Sequence, residues 1–172
     1  NGIAFNIAGG THHAFYDRGE AFCLLNDQAI AANYLLATGK ASQILIIDLD
    51  VHQGNGTAAL FQNNSRVFTF SMHGKANYPF QKEKSSLDIA LEDNTEDHNY
   101  LSLLEKHLTQ LLATVKPDFV FYLSGVDVLK EDKLGRLSLS LYGAKKRDEM
   151  VLSSCFKRGI PVQCSMGGGY AP

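Results

Sequence analysis

Residues 44–57, ILIIDLDVHQGNGT, gather the side chains best suited to chemistry. Four apolar residues run into Asp48, Asp50 and His52, spaced two apart, and then into a loop punctuated by Gly54 and Gly56. Side chains two apart on extended backbone point the same way, so one strand end can present two carboxylates and an imidazole together. That set suits a metal ion. The same letters also describe a buried strand ending in a polar turn, with Asp48 or Asp50 capping a following helix. The rest of the chain decides between the two.

The periodicity predicts five strands. Residues 2–8 read as a buried strand closed by Gly9 and Gly10, delivering Thr11, His12 and His13 into a loop. A helix follows from about residue 26 to 36, with Gly39 as its stop, and then the strand of residues 44–48 and a short helix near residues 58–61. Residues 67–72 form a third strand with His73 directly after it, and residues 74–97 form a long loop without periodicity. Leu101, Leu104, Leu108, Leu111, Leu112 and Val115 recur at helical spacing before Pro117. The strand 119–123 leads to Ser124, Gly125 and Asp127; a helix N-capped by Ser140 runs to about residue 158; the strand 161–166 ends in Gly167, Gly168, Gly169 and Tyr170.

Such alternation requires parallel pairing with helices on both faces, so the fold class is α/β with an open parallel sheet. Ligands of such sheets sit beyond the carboxyl ends of the strands. His12 with His13, Asp50 with His52, His73, Asp127 and Tyr170 each fall at or past the end of a separate predicted strand, which favours a site over a polar turn.

Catalytic zinc takes three protein ligands and keeps a position open. Asp50, His52 and Asp127 supply such a set, and Fe²⁺ or Mn²⁺ suit the same carboxylate-rich donors. Two carboxylates neutralise the dication and weaken it as a Lewis acid, so a separate general base is needed, and the His12–His13 pair can provide it. One of the pair, His12, is expected to be a buried histidine satisfied by Asp48. Tyr170, on a glycine turn, is placed to donate its hydroxyl to a developing oxyanion.

Composition narrows the classes. The chain has 172 residues, 45% of them apolar, enough for one domain with a real core. A net charge of −2 gives no footprint for nucleic acid, and the basic run Lys145, Lys146 and Arg147 reads as a solvated helix face. Cys23, Cys155 and Cys164 lack paired spacing, which fits a reduced compartment: cytoplasm, or nucleus in a eukaryote. No apolar run reaches membrane-spanning length. The oligomeric state is not legible.

The motifs GGTHHA (9–14), AFCLLND (21–27), DLDVHQGNGT (48–57), FSMH (70–73), SGVDVLKEDKLG (124–135) and GGGY (167–170) occur in the order seen in zinc-dependent histone deacetylases and their bacterial relatives, and the chain resembles that family throughout. The resemblance implies an arginase-deacetylase α/β fold and hydrolysis of an N-acetyl amide, typically acetyl-lysine, with release of acetate. Carried over, Asp50, His52 and Asp127 match the zinc ligands, His13 the general base and acid, His12 an electrostatic histidine, and Tyr170 the carbonyl-polarising tyrosine. Asp48, Ser71 and the carbonyls of Asp50, His52 and Met72 match a structural potassium site. Phe22, Tyr78, Leu134, Ala21 and Gly168 match walls of a narrow acyl-lysine tunnel.

Gln53 and Asn55 stand where many relatives have His and Asp, a variant that resembles the class IV branch and its bacterial cousins. With Asn55 as the partner of His13, an amide replaces a carboxylate, and His13 is expected to stay neutral and act as a base. Ala21 stands where glycine is more usual. Full-length relatives carry more chain on both sides, so a partial catalytic domain spanning 1–172 is expected, with apolar faces left uncovered. The substrate is an acetylated protein or a small molecule such as an acetylpolyamine; the non-enzymatic alternative is an acyl-lysine reader or inactive scaffold.

Overall fold

A computed structural model describes residues 2–171. Six strands, all paired in parallel, form one sheet in the order β1-β6-β5-β2-β3-β4: β1 Ile3–Asn6, β2 Ile44–Asp48, β3 Val67–Gly74, β4 Leu87–Leu91, β5 Phe119–Leu123 and β6 Val162–Ser165. Four helices connect them: α1 Asp27–Ala37, α2 Asn55–Phe61, α3 Asp97–Thr114 and α4 Leu141–Lys157.

The central strand β2 is buried along its whole length and serves both faces. Ile44 and Ile46 pack with Ala29, Ala32 and Leu36 of α1 and Phe61 of α2. Leu45 and Ile47 pack on the other face with Leu104, Leu108 and Leu111 of α3 and Val151 and Cys155 of α4. Burying each such aliphatic side chain contributes about 1.5–3 kcal/mol. The alternation continues past the end of β2, since Leu49 and Val51 join the second core and so turn Asp48, Asp50 and His52 the other way.

Strand order reverses beside β2. From there the chain runs outward to β3 and β4, then returns to place β5 on the other flank and β6 between β5 and the edge strand β1. In an open α/β sheet the crevice at such a reversal is where ligands bind. The loops carrying Asp50 and Asp127 leave β2 and β5, the two strands at that point.

The structure departs from the sequence expectation in five places. A sixth strand, β4, lies inside the segment read as a loop; it is a half-buried edge whose polar Asp88 breaks the apolar pattern. His73 lies within β3, not after it. The first strand is not buried: β1 is the opposite edge, paired only with β6, and its residues are exposed. Helix α2 begins at Asn55, three residues early, which puts that side chain in its first turn. Finally, Lys145 and Lys146 are solvated, whereas Arg147 is fully buried. It lies on the inward stripe of α4 with Gly143, Ala144, Val151 and Cys155.

Candidate active site

Asp50, His52 and Asp127 converge from the ends of β2 and β5, each offering one ligand atom within 4.8 Å of the others. Among the described residues this is the only such group of three or more histidine, cysteine or acidic side chains. His52 Nδ1 lies 3.0 Å from Asp50 Oδ1 and 3.1 Å from Asp127 Oδ2. The remaining carboxylate oxygens are held by backbone: Asp50 Oδ2 accepts from Gly168 N at 2.7 Å, and Asp127 Oδ1 from Val51 N at 2.9 Å. Gly168 can come this close only without a side chain, because a Cβ there would stand 1.8 Å from Asp127 Oδ2.

The frame behind these three side chains is Arg147. Its Nη1 donates to the carbonyls of Leu49, at 3.1 Å, and Gly125, at 2.6 Å, tying the loops after β2 and β5 together just before their acidic residues. Its Nε donates to Asp148, which also accepts the hydroxyl of Tyr122.

The histidine loop is held by both helices of the other face. Asp27, first residue of α1, accepts from Gly10 N and Thr11 N at 3.1 Å, and Thr57 N of α2 donates to His12 O at 3.1 Å. His12 Nδ1 meets Asp48 Oδ2 at 2.7 Å, the partner expected for it. His13 Nδ1 meets Asn55 Oδ1 at 2.7 Å. The two rings lie 4.1 Å apart, and His13 sits 6.1 Å from the ring of His52.

Charge is distributed unevenly. Burial works against a charged His12, but Asp48 and Asp50 outweigh it and raise the imidazole to about 9. Burial and the neighbouring His12 charge push His13 down to about 4, so it is neutral at neutral pH. Burial and His12 dominate, and the hydrogen bond to Asn55 acts only weakly in the opposite direction. Despite burial, Asp50 is held well below the usual carboxylate range by the charge of His12 and the hydrogen bond from His52. Burial and repulsion from Asp50 push Asp127 up to about 7. Two carboxylates that compete for the same positive charge, with an imidazole between them, match the donor chemistry of a divalent metal.

A cavity of about 560 Å³ opens over this cluster. His12, His13, Asp50, His52 and Tyr170 line it together with Ala21, Phe22, Tyr78, Leu134 and Gly168. Asp127 is fully buried and does not line it. Tyr78 stands edge-on to His13 at 5.1 Å, and Phe22, 81% exposed, faces Tyr170 at 6.1 Å. Ala21 has φ +51, in the left-handed region that favours glycine. It is the first central residue of a two-residue turn closed by reciprocal Glu20 and Cys23 backbone bonds, which explains why glycine suits that position. Asp48 and Ser71 are register partners across β2 and β3 and lie outside the large cavity, as does Met72. His73, grouped with the reactive clusters from sequence, is instead a buried neighbour of Ser71, 2.9 Å from its hydroxyl.

Several positioning contacts were not foreseen from the sequence. Gln53 binds Glu83 through both ends of its amide and also donates to Asp88, pinning the loop that carries Tyr78. Asn77 bonds Leu134 O and Arg136 N, joining that loop to the next wall of the cavity. Glu20 accepts from both Asn55 Nδ2, at 2.6 Å, and the Tyr78 hydroxyl, at 2.5 Å. These contacts span roughly 30 to 60 positions of chain, and no local pattern announces them.

An α/β sheet with a buried two-aspartate, one-histidine cluster at its switch point and a histidine pair beside it defines an arginase-deacetylase-like fold with a candidate metal centre. The model of the histone deacetylase domain matches residues 1–172, and the chain belongs to that family. An uncharacterized protein of Picosynechococcus sp. is 52% identical over 171 residues, covering 99% of this chain and 57% of the relative. Histone deacetylase 2 of Arabidopsis thaliana is 34% identical over 172 residues, covering 98% of this chain and 44% of the relative. The crystal structure of an HDAC homolog from Aquifex aeolicus superimposes with a TM-score of 0.84 at 31% identity, covering 96% of this chain and 47% of that one. The chain thus spans about half the length of the proteins it matches. Among the described residues no helix is long and apolar enough to cross a membrane.

Proposed function

We propose that this chain carries the catalytic centre of a metal-dependent deacetylase that hydrolyses the N-acetyl amide of acetyl-lysine and releases acetate. The convergence of Asp50, His52 and Asp127 beneath a cavity lined by His13 and Tyr170 is the observation that carries this reading. Family membership supports the reaction class.

Asp50, His52 and Asp127 would hold the divalent ion, Zn²⁺ in the first instance with Fe²⁺ and Mn²⁺ as alternatives, and the ion would supply Lewis acidity to the scissile carbonyl and the attacking water. His13 is neutral, and its Nδ1 is engaged by Asn55, so Nε2 is the atom available to take a proton and later deliver it to the leaving amine. His12, charged and braced by Asp48, stabilises negative charge that builds beside it. The Tyr170 hydroxyl donates to the developing oxyanion, and burial together with Asp50 and Asp127 keeps it protonated. Tyr78 and Phe22 exclude water around an extended apolar chain such as the lysine methylenes, with Ala21, Leu134 and Gly168 completing the walls. Asp48 and Ser71, side by side across β2 and β3 with Met72 next in the chain, would hold a structural K⁺ that links the two strand ends.

The experiment is acetate release by the complete natural polypeptide from an acetyl-lysyl peptide and, in a parallel arm, from an acetylpolyamine. Turnover of the peptide with the higher kcat/KM supports the reading. Preference for the polyamine moves the substrate to a small molecule, and tight binding of peptide without acetate release would leave a reader in place of an enzyme.

A further inference from the structure

Asparagine amides can face either way, and the identity of the atom turned toward His13 decides what that histidine can do. If the carbonyl oxygen faces Nδ1, then Nδ1 carries the proton and Nε2 presents a lone pair to the cavity. If the amino group faces Nδ1, the tautomer reverses and Nε2 is occupied by hydrogen. An aspartate at position 55 would leave no such choice, because a carboxylate only accepts. Here something must set the amide, and among the described residues the only charged side chain bonded to it is Glu20.

The distances are those of a closed chain. Glu20 Oε1 lies 2.6 Å from Asn55 Nδ2, and Asn55 Oδ1 lies 2.7 Å from His13 Nδ1. An ionised carboxylate has no hydrogen to give, so the amide must turn its NH₂ toward Glu20 and its oxygen toward His13. The same Oε1 accepts the hydroxyl of Tyr78 at 2.5 Å, which keeps it facing inward. The backbone of Glu20 is fixed as well, by reciprocal bonds with Cys23 of 3.0 and 2.9 Å. Asn55 is itself buried in the first turn of α2.

We propose that Glu20 is the positioning residue of this site: through the Asn55 amide it fixes the proton of His13 on Nδ1, leaving Nε2 free to act as base, and through Tyr78 it ties a wall of the cavity to the same anchor. This inference rests on the deacetylase reading for its catalytic consequence, but the tautomer it assigns is independent of any turnover. The role belongs to a group that only accepts hydrogen bonds, as a carboxylate does and an amide does not. Glutamine at position 20 can turn either its oxygen or its NH₂ toward Asn55, so Glu20→Gln should loosen the setting, and Glu20→Ala removes it.

The test uses the metal-loaded natural polypeptide with ¹⁵N-labelled histidine. NMR should report Nδ1–H with a bare Nε2 for His13 in the parent, and a mixture of both tautomers in Glu20→Gln and Glu20→Ala. In parallel, kcat on an acetyl-lysyl peptide should fall by roughly tenfold to a hundredfold in Glu20→Ala, part of the 10²–10⁴ a general base contributes. Glu20→Gln should fall between the parent and Glu20→Ala, since its amide accepts in only one of its two orientations. A single unchanged tautomer with parental kcat in Glu20→Ala overturns the proposal, and so does the same result in Glu20→Gln. Should Glu20→Ala not fold, the parental tautomer alone in folded Glu20→Gln decides against it, and a mixture of both decides for it. If the parent itself releases no acetate, the functional reading fails while the NMR comparison still settles the role of Glu20.

Discussion

The substitution Gly168→Ala probes how closely the glycine turn must approach the candidate metal ligands. An ideal Cβ at this position would lie 1.8 Å from Asp127 Oδ2, 2.6 Å from its Cγ and 3.2 Å from Asp50 Oδ2. Non-bonded Cβ contacts below 3.0 Å are essentially never found, so the carboxylate and the turn must separate by about 1.2 Å. Asp127 cannot swing freely, because it is fully buried and its other oxygen is fixed by Val51 N. Metal–ligand distances tolerate only about ±0.2 Å, so a shift several times that size removes one ligand of three. Affinity for Zn²⁺ should therefore drop by at least roughly 10²-fold, more than the 10–100-fold expected from disturbing an outer partner of a ligand. Gly169→Ala is the control, since its Cβ would meet only the Val126 side chain, at 2.5 Å, and that side chain can rotate away. Competitive titration against a chromophoric chelator gives both affinities, and a denaturation curve shows that each protein is folded. Equal zinc affinity in folded Gly168→Ala and Gly169→Ala would refute the reasoning.

Three further outcomes follow from the charge distribution and the buried frame. In Asn55→Asp a carboxylate replaces the amide that faces His13, so the imidazole rises from about 4 and the acid limb of the pH–rate profile should move up by about one unit or more; an unchanged profile would contradict the pairing. Burial holds His73 down to about 4, against 6.5 when unfolded, so its contribution is complete above pH 6.5 and is lost as pH falls toward 4. Between pH 7.5 and 5 this costs about 2 kcal/mol, and urea denaturation of His73→Asn should show a pH dependence smaller by that amount. In Arg147→Met the carbonyls of Leu49 and Gly125 lose their buried donor, which should cost about 3–5 kcal/mol in the same measurement; a loss below about 1 kcal/mol would remove Arg147 as the frame.

What the sequence made legible was local. Asp48, Asp50 and His52 could be read because a period of two, carried by Leu45, Ile47, Leu49 and Val51, sorts side chains between two faces without knowledge of any neighbour. The helix limits near Asn26 and Ser140 were equally accessible, since both caps are bonds made within three residues. Strand order was not, because parallel pairing joins residues far apart and nothing in β5 announces that it returns to lie beside β2. Arg147 could have been found: its spacing of four from Val151 and eight from Cys155 marks the inward stripe of α4, but charge was weighed above periodicity. Glu20 could not, for its meaning lies in Asn55 and Tyr78, which only the fold brings to it.

The account depends on one divalent ion bound by Asp50, His52 and Asp127. Metal analysis of the complete natural polypeptide, paired with acetyl-lysyl peptide turnover before and after chelation, tests it directly. One bound ion per chain is expected in the parent, with activity lost on chelation, restored by Zn²⁺, and both properties absent in folded Asp127→Ala. Full turnover in the chelated protein, or an undiminished metal content in Asp127→Ala, would contradict it.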